Sequence, residues 1–387
     1  MSFRLRFFLY CIKLLKKGYT FFTGKQIWIF TSWEAKVYSD NPKYLYEYAS
    51  VVKRKSVKAI WVTENKSLYN EMKKRGMPVF LTDTLRKKYF ISTMADCFFF
   101  SDLEEPFTKR LNPKMLYVNL WHGMPIKHIG FVGADVKQDY IIATNPDSQQ
   151  VLSNAMGLPK DKVLLTGQPK NDGLFTKKNL KEYLGLDKNS YIILYMPTYR
   201  GGFNSSAFNR NNATGIFLEN NDALIAFNKL LEKENAYFVI KPHLRNKFDV
   251  DLGSRFLILD DFKDLVAEFE NYEIMGNADM LVSDYSSIIL DYFVTNRPIL
   301  FYTPDFDAYS STQKLSYNYT TISSGEQCFD QDALFNRINF YLQNRTFLPK
   351  GYQAIKEMFN LHVDAKNCER VFDTFFSVVK KSIAQNR

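Results

Sequence analysis

The sequence predicts an α/β protein made of two Rossmann-like halves facing a cleft. Three observations carry that expectation. From residue 26 onward, short β-rich apolar runs alternate with helical stretches, as α/β layers with parallel sheets require. The runs fall into two series, separated by the polar stretch Lys177 to Ser190. The 387 residues leave room for about two domains at roughly 150 residues each. In such folds, ligands bind in the crevice at the carboxyl ends of the strands.

The chain opens on FRLRFFLYCIKLLKKGYTFF, residues 3 to 22. Arg4, Arg6, Lys13, Lys16 and Lys17 interrupt its apolar run, and no small-residue cleavage site follows. A membrane span needs about 20 mostly apolar residues, so this segment is not one. At about 100° per residue, Phe3, Phe7, Tyr10, Cys11 and Leu14 gather on one side of a helix and Arg6, Lys13, Lys16 and Lys17 on the other. That pattern fits a helix lying on an anionic membrane surface, and it also fits an amphipathic helix packed on the protein. The charge balance favours the first reading. Residues 1 to 120 hold 22 basic and 10 acidic side chains, a net charge of +12, whereas the rest of the chain is at −2. The clusters Lys53-Arg54-Lys55, Lys73-Lys74-Arg75 and Arg86-Lys87-Lys88 contribute to the excess. A nucleic-acid partner is not expected, because the excess adjoins an amphipathic helix instead of a base-stacking surface.

The first series of strands is expected at Gln26 to Thr31, Val57 to Val62, Ala95 to Phe100, Leu116 to Leu120, Tyr140 to Ala143 and Val163 to Thr166. The second is expected at Tyr191 to Met196, Tyr237 to Ile240, Phe256 to Leu259, Met280 to Ser283 and Ile299 to Tyr302. Gly201 to Gly215 reads as an Asn/Ser/Gly-rich loop. No GxGxxG or Walker-type loop occurs, which removes the main support for dinucleotide oxidoreductases and P-loop ATPases. Cys11, Cys97, Cys328 and Cys368 are widely spaced, so the sequence calls for no disulfide framework, metal site or cofactor. Asp305 and Asp307 spell DxD, but they follow a strand and a Pro turn and read as structural.

Four polar clusters follow directly on expected strands. In WHGMPIKHIG, His122 sits at a strand tip before Gly123, where an imidazole can serve as a general base; a hydrogen-bonded structural histidine fits the position equally. Lys127 and His128, further along, offer positive charge to an anion. In YMPTYRGG, Thr198, Arg200 and the backbone amides near Gly201 and Gly202 offer phosphate donors, although an arginine at a loop mouth is also commonly just solvated. In VIKPHLRN, Lys241 and His243 end a strand and suit charge stabilisation on a phosphate. In NADMLVSDYSSIILDYF, Asp284 precedes Ser286 and Ser287, which open a helix whose first amides and hydroxyls suit a diphosphate; the pair also suits a plain N-cap. Asp291 lies on that helix, where it either joins the site or fixes the fold.

Taken together with TGQPKNDGLF (166 to 175), KPH, SDYSSIILDYFVTNRPILFY and the early SWEAKVYSDNPKYLYEYA (32 to 49), these motifs resemble the CDP-glycerol glycerophosphotransferase family of teichoic acid and capsule synthesis, over roughly residues 25 to 380. The resemblance implies a GT-B fold closed by a C-terminal helix. It also implies a peripheral enzyme on the cytoplasmic face of the membrane, which moves a polyol phosphate from a CDP-polyol, CDP-glycerol foremost, to a hydroxyl on an undecaprenyl-diphosphate-linked saccharide. The family's two essential histidines match His122 and His243, and its diphosphate-binding serines match Ser286 and Ser287 beside Asp284. Arg200 and Arg370 match basic positions, Thr198 and Lys241 join the donor side, and Gly123, Lys127, Asp172 and Asp291 form the acceptor-side or supporting set. Two segments depart from the family: YTTISSGEQ (319 to 327) replaces an FPGP-like stretch, and Ala365 replaces a Gly.

The expected organisation is a membrane-association segment (1–24), an acceptor domain (25–178), a CDP-donor domain (179–350) and C-terminal helices packing back across the cleft (351–387). The start of the chain, almost at the catalytic module, favours priming over polymerisation. A GT-B glycosyltransferase using a nucleotide sugar and a ribitol-phosphate transferase or polymerase are the rival readings.

Overall fold

The computed structural model describes residues 3–102, 111–132, 138–198, 218, 222–242, 252–259 and 264–385. The first of its two sheets holds β1 (Gln26–Phe30), β2 (Val57–Thr63), β3 (Val79–Leu81), β4 (Cys97–Phe100), β5 (Leu116–Asn119), β6 (Tyr140–Ala143) and β7 (Val163–Leu165), in the order 3-2-1-4-5-6-7. The second holds β8 (Tyr191–Met196), β9 (Ala236–Ile240), β10 (Phe256–Ile258), β11 (Met280–Ser283), β12 (Ile299–Tyr302) and β13 (Gln327–Cys328), in the order 10-9-8-11-12-13. Every pairing between these strands is parallel. Each order reverses once, between β1 and β4 and between β8 and β11, which is the doubly wound arrangement with its binding crevice at the reversal.

Parallel strands are covered on both faces, so their sequences run apolar without alternation. β1 (QIWIF), β4 (CFFF) and β8 (YIILYM) are buried along their whole lengths. All eleven expected strands are present. β3 and β13 were not expected: they are edge strands of three and two residues, too short to leave an apolar run in the sequence. The polar stretch between the series is fastened to the second half, where Leu180 is buried and its N–H donates to Asn277 Oδ1 at 3.1 Å.

The N-terminal helix Phe3–Thr23 has two working faces. One packs on the helix Leu85–Met94: Ile12 is buried, Lys16 donates to the Ala95 carbonyl at 2.8 Å and pairs with Asp96 at 2.7 Å, and Arg86 lies over the Phe8 ring. The other leaves Phe3, Phe7, Tyr10, Leu14 and Phe21 exposed. Lys16 therefore leaves the expected cationic side, because Asp96 draws its ammonium into the docking contact. Parts of the basic clusters are also paired, Lys53 with Asp373, Arg75 with Glu71, Lys87 with Asp83 and Lys88 with Glu64. Among the described residues, no helix is long and apolar enough to cross a membrane.

At the other end, the helix Tyr352–Phe359 packs on the second half, with Tyr352 donating to the Arg297 carbonyl at 2.7 Å. The chain then crosses back. The helix Asn367–Gln385 buries Val371, Phe372, Phe375 and Val379 in the core beneath the first sheet. Phe372 meets Trp28 of β1 at 4.8 Å between ring centroids, and Phe375 meets Phe99 of β4 at 5.7 Å. Truncating a core phenylalanine removes its transfer energy and leaves a cavity, so Phe372→Ala should cost about 3–5 kcal/mol of unfolding free energy in a urea titration. A loss below about 1 kcal/mol would mean that the closing helix is not integral to the first half.

Candidate functional site

The residues of the candidate site that are described in the structure come mostly from the carboxyl ends of the strands near the two reversal points. In the first half, Ser32 and Trp33 follow β1, Ser101 follows β4, and Trp121, His122 and Gly123 follow β5. In the second half, Thr198 follows β8, Lys241 follows β9, and Asp284, Ser286 and Ser287 follow β11. His243, Arg200 and the loop 201–215 lie outside the described residues.

His122 is half-buried, and its Nδ1 is 2.9 Å from the Ser101 carbonyl oxygen. A carbonyl only accepts, so Nδ1 carries the proton and Nε2 keeps its lone pair, the tautomer a general base needs. The imidazole stacks on Trp121 at 4.2 Å and lies 5.6 Å from the Trp33 ring. The turn carrying it presses against the second half. Gly123 adopts φ +153°, and a Cβ there would sit 2.6 Å from Ser287 Oγ. Only glycine allows the two strand ends to approach this closely.

Beneath the turn runs a buried polar network. Lys170 Nζ donates to the His122 carbonyl at 2.6 Å and pairs with Asp40 at 3.1 Å. Asn41 Nδ2 donates to the carbonyls of Leu120 and Trp121 at 3.0 and 2.9 Å, while its Oδ1 accepts from the Lys170 amide at 3.0 Å. Gln168 and Asn171 donate to Asp291 Oδ1 at 3.3 and 3.2 Å, and Tyr272 donates to Asp291 Oδ2 at 2.5 Å. Burial pushes the Asp291 carboxyl up, and Lys170 pulls it back. Asp291 thus does the fold-fixing job, joining the segment after β7 to the second half.

Several expected donor-side and supporting residues also fasten the fold. Asp284 is buried, and its carboxylate accepts from the Thr198 N–H at 3.0 Å, the Thr198 hydroxyl at 2.5 Å and the Tyr285 N–H at 2.7 Å, clamping the end of β8 to that of β11. Arg370 was expected in the donor or phosphate-binding set; its guanidinium donates to the Thr166 carbonyl at 3.1 Å and to Asn367 at 2.6 Å and pairs with Asp364 at 2.8 Å. Asp172 accepts from the N–H groups of Asn367 and Cys368, both at 2.8 Å, and so anchors the start of the closing helix; burial raises its carboxyl. Lys127 lies over the Tyr309 ring at 5.7 Å, in a segment bridged to Leu315.

The helix expected to open at Ser286 runs only from Ile288 to Tyr292 before tightening into a 3-10 turn. Ser287 occupies its N-cap position without making a capping bond, so its hydroxyl is not spent on the helix end and faces Gly123 instead. Lys241 is buried, and it and Lys43 offset the burial that pushes the Glu270 carboxyl up. Asp305 accepts the Tyr285 hydroxyl at 3.0 Å, and Tyr319 of the departing YTTISSGEQ segment donates to the Asp284 carbonyl at 2.5 Å. Among the described residues, no group of three or more His, Cys, Asp or Glu could hold a metal ion. Ser101, Lys170, Asn41 and Trp33 were not singled out from sequence. Trp33, Asn41 and Lys170 lie inside quoted motifs, which was their only signal there, and Ser101 left none.

Removing one partner of a buried ion pair leaves the other charge uncompensated. Lys170→Met should therefore lose about 3–5 kcal/mol of stability, and adding Asp40→Asn should restore part of it. Additive losses in that cycle would show that the two side chains are not coupled.

Comparison with known proteins agrees with the geometry. The model of the CDP-glycerol:poly(glycerophosphate) glycerophosphotransferase family matches residues 15–377. A teichoic acid glycerol-phosphate transferase of Staphylococcus aureus is 26% identical over 407 aligned positions, which cover 94% of this chain and 95% of that protein. A teichoic acid glycerol-phosphate primase of Bacillus subtilis is 27% identical over 240 positions, covering 61% of this chain and 56% of the relative. Among solved structures, the wall teichoic acid polymerase TagF superposes with a TM-score of 0.71 at 21% identity, over 92% of this chain and 90% of that one. The chain belongs to the CDP-glycerol:poly(glycerophosphate) glycerophosphotransferase family and is a glycerophosphotransferase with the GT-B fold.

Proposed function

We propose that the enzyme transfers glycerol phosphate from CDP-glycerol to a hydroxyl of a lipid-diphosphate-linked saccharide and releases CMP. The observation that carries the mechanism is the His122 tautomer, with Nδ1–H held by Ser101 and Nε2 left basic. Nε2 takes the proton of the acceptor hydroxyl, whose oxygen attacks the β-phosphorus of CDP-glycerol. The bond from that phosphorus to the bridging oxygen breaks, and CMP departs. Phosphoryl transfer depends on positioning and charge stabilisation more than on covalent catalysis. Ser286, Ser287 and Lys241 supply hydroxyls and positive charge on the donor side, on strand ends that Thr198 and Asp284 clamp together. His243 and Arg200 are assigned to the same side by family resemblance. In this reading the first half (25–178) receives the acceptor, the second (179–350) holds CDP-glycerol, and Asp284, Asp291, Asp172 and Arg370 position the others. Matching over nearly the full length of a glycerol-phosphate transferase supports glycerol phosphate as the unit moved.

His122→Ala should lower CMP release by about 10²- to 10⁴-fold while CDP-glycerol binding and the unfolding midpoint stay unchanged. Full turnover in that variant would remove His122 from the role of base. Mass spectrometry of products formed on a short-chain lipid-diphosphate disaccharide distinguishes one or a few added units, the priming outcome, from a long chain.

The outward row Phe3, Phe7, Tyr10 and Leu14, flanked by Arg6, Lys13 and Lys17, supports attachment to an anionic membrane surface on the cytoplasmic side, where a lipid-linked acceptor would be met. Replacing those four apolar residues with serine should abolish co-sedimentation with vesicles containing phosphatidylglycerol and leave CDP-glycerol binding intact. Undiminished co-sedimentation would overturn the role of the helix.

A further inference from the structure

We propose that Trp33 is the platform on which a sugar ring of the acceptor stacks as its hydroxyl is presented to His122. The proposal rests on the reading of His122 as the base and adds to it the group that orients the acceptor. Of the four tryptophans, Trp28, Trp61 and Trp121 are at most 6% exposed, whereas Trp33 is 41% exposed. The exposed indole is the one next to the reacting imidazole on the β1 side, 5.6 Å away.

Its backbone is strained in order to hold it there. Trp33, Glu34 and Ala35 adopt φ of +46°, +55° and +58° in succession, and none is glycine. A left-handed L-residue costs roughly 1–2 kcal/mol, and such strain persists only where the surroundings enforce it. The enforcing contacts are specific. The Ala35 carbonyl accepts from the Thr63 hydroxyl at 2.6 Å and the Glu64 N–H at 3.0 Å, the Trp33 carbonyl accepts from the Lys36 N–H at 3.0 Å, and the Ser32 hydroxyl donates to the Val37 carbonyl at 2.9 Å. Ala35 itself is fully buried. The fold thus fixes a strained turn that leaves 41% of the Trp33 surface open to solvent, although burying such a ring fully is among the larger favourable terms open to a side chain.

The ligand class follows from position and chemistry. Groups suited to phosphates, Ser286, Ser287 and Lys241, come from the second half, so the diphosphate belongs on that side of His122. Trp33 follows β1 of the first half and meets whatever approaches the imidazole from there, which is the acceptor. One face of a pyranose ring is lined by weakly positive C–H groups. It is complementary to the electron-rich face of an indole, which orients the ring at low entropic cost.

The test uses the full chain, CDP-glycerol and a short-chain lipid-diphosphate disaccharide. Trp33→Ala should raise the acceptor KM about tenfold, leave the KM for CDP-glycerol unchanged and leave kcat within about twofold; Trp33→Phe should recover most of the loss. Calorimetric titration of the same disaccharide in the absence of CDP-glycerol should show the same tenfold weakening in Trp33→Ala. Equal disaccharide binding by wild type and Trp33→Ala overturns the proposal, and so does a raised KM for CDP-glycerol with an unaltered acceptor KM, which would make the indole a donor contact. His122→Ala in the same titration should bind the disaccharide as wild type does, so an error about the base shows in turnover and an error about the platform shows in binding.

Discussion

The buried ammonium of Lys170 is the contact on which the site depends. It sits where the segment leaving β7 passes under the turn after β5, and it is shared between the Asp40 carboxylate and the His122 carbonyl. Taking an ion pair out of water costs several kcal/mol per ion, and a well-packed apolar pair would often serve stability as well. What such a replacement would lack is direction. Lys170 ties a specific carbonyl at a specific strand end, and Asn41 ties the two carbonyls before it. With three successive carbonyls fixed, the His122 ring is left to be oriented by Ser101 and the Trp121 stack.

The same segment joins the two sheets. Gln168 and Asn171 reach Asp291 in the second half, while Asp172, one residue further on, anchors the closing helix that runs back over the first. Movement of one half relative to the other therefore transmits to the His122 turn through a few residues. The 2.6 Å approach that a Cβ at Gly123 would make to Ser287 shows how little clearance the arrangement leaves. Parallel topology makes this economy possible, because all the strands of a sheet deliver their carboxyl ends to one edge and two reversal points then supply both sides of a cleft.

The central strands were legible because burial on both faces writes itself as uninterrupted apolar runs such as YIILYM, whereas the position of His122 after such a run fitted a general base and a hydrogen-bonded structural histidine equally. The edge strands β3 and β13 were not, since two or three residues carry no periodicity. The contacts that the sequence could not show share a cause. Asp284, Arg370 and Asp172 are charged groups in motif positions, and sequence reports their charge but not their partners. Thr198, Asn367 and Asp364 reach them only through contacts 3 to 195 residues away along the chain. Trp33 escaped for a different reason, because no local pattern predicts three successive left-handed residues without glycine. The N-terminal helix was readable as amphipathic, but that pattern could not show that one face docks through Lys16 and Asp96 while the other remains exposed.

The GT-B fold does not choose between moving a sugar and moving a polyol phosphate, since many activities share it. The chemistry at the strand ends is more selective. A glycosyl donor breaks its bond at a sugar carbon, so its diphosphate leaves intact and needs charge stabilisation beside the reacting centre. A CDP-polyol breaks its bond at the β-phosphorus, which must itself lie within reach of the base and the hydroxyl donors. In this chain Gly123, next to His122, lets the end of β5 in the first half come up against Ser287 at the end of β11 in the second. Family membership rests on the match along the chain, whereas the proposal of the β-phosphorus as the reacting atom rests on how closely these two strand ends approach.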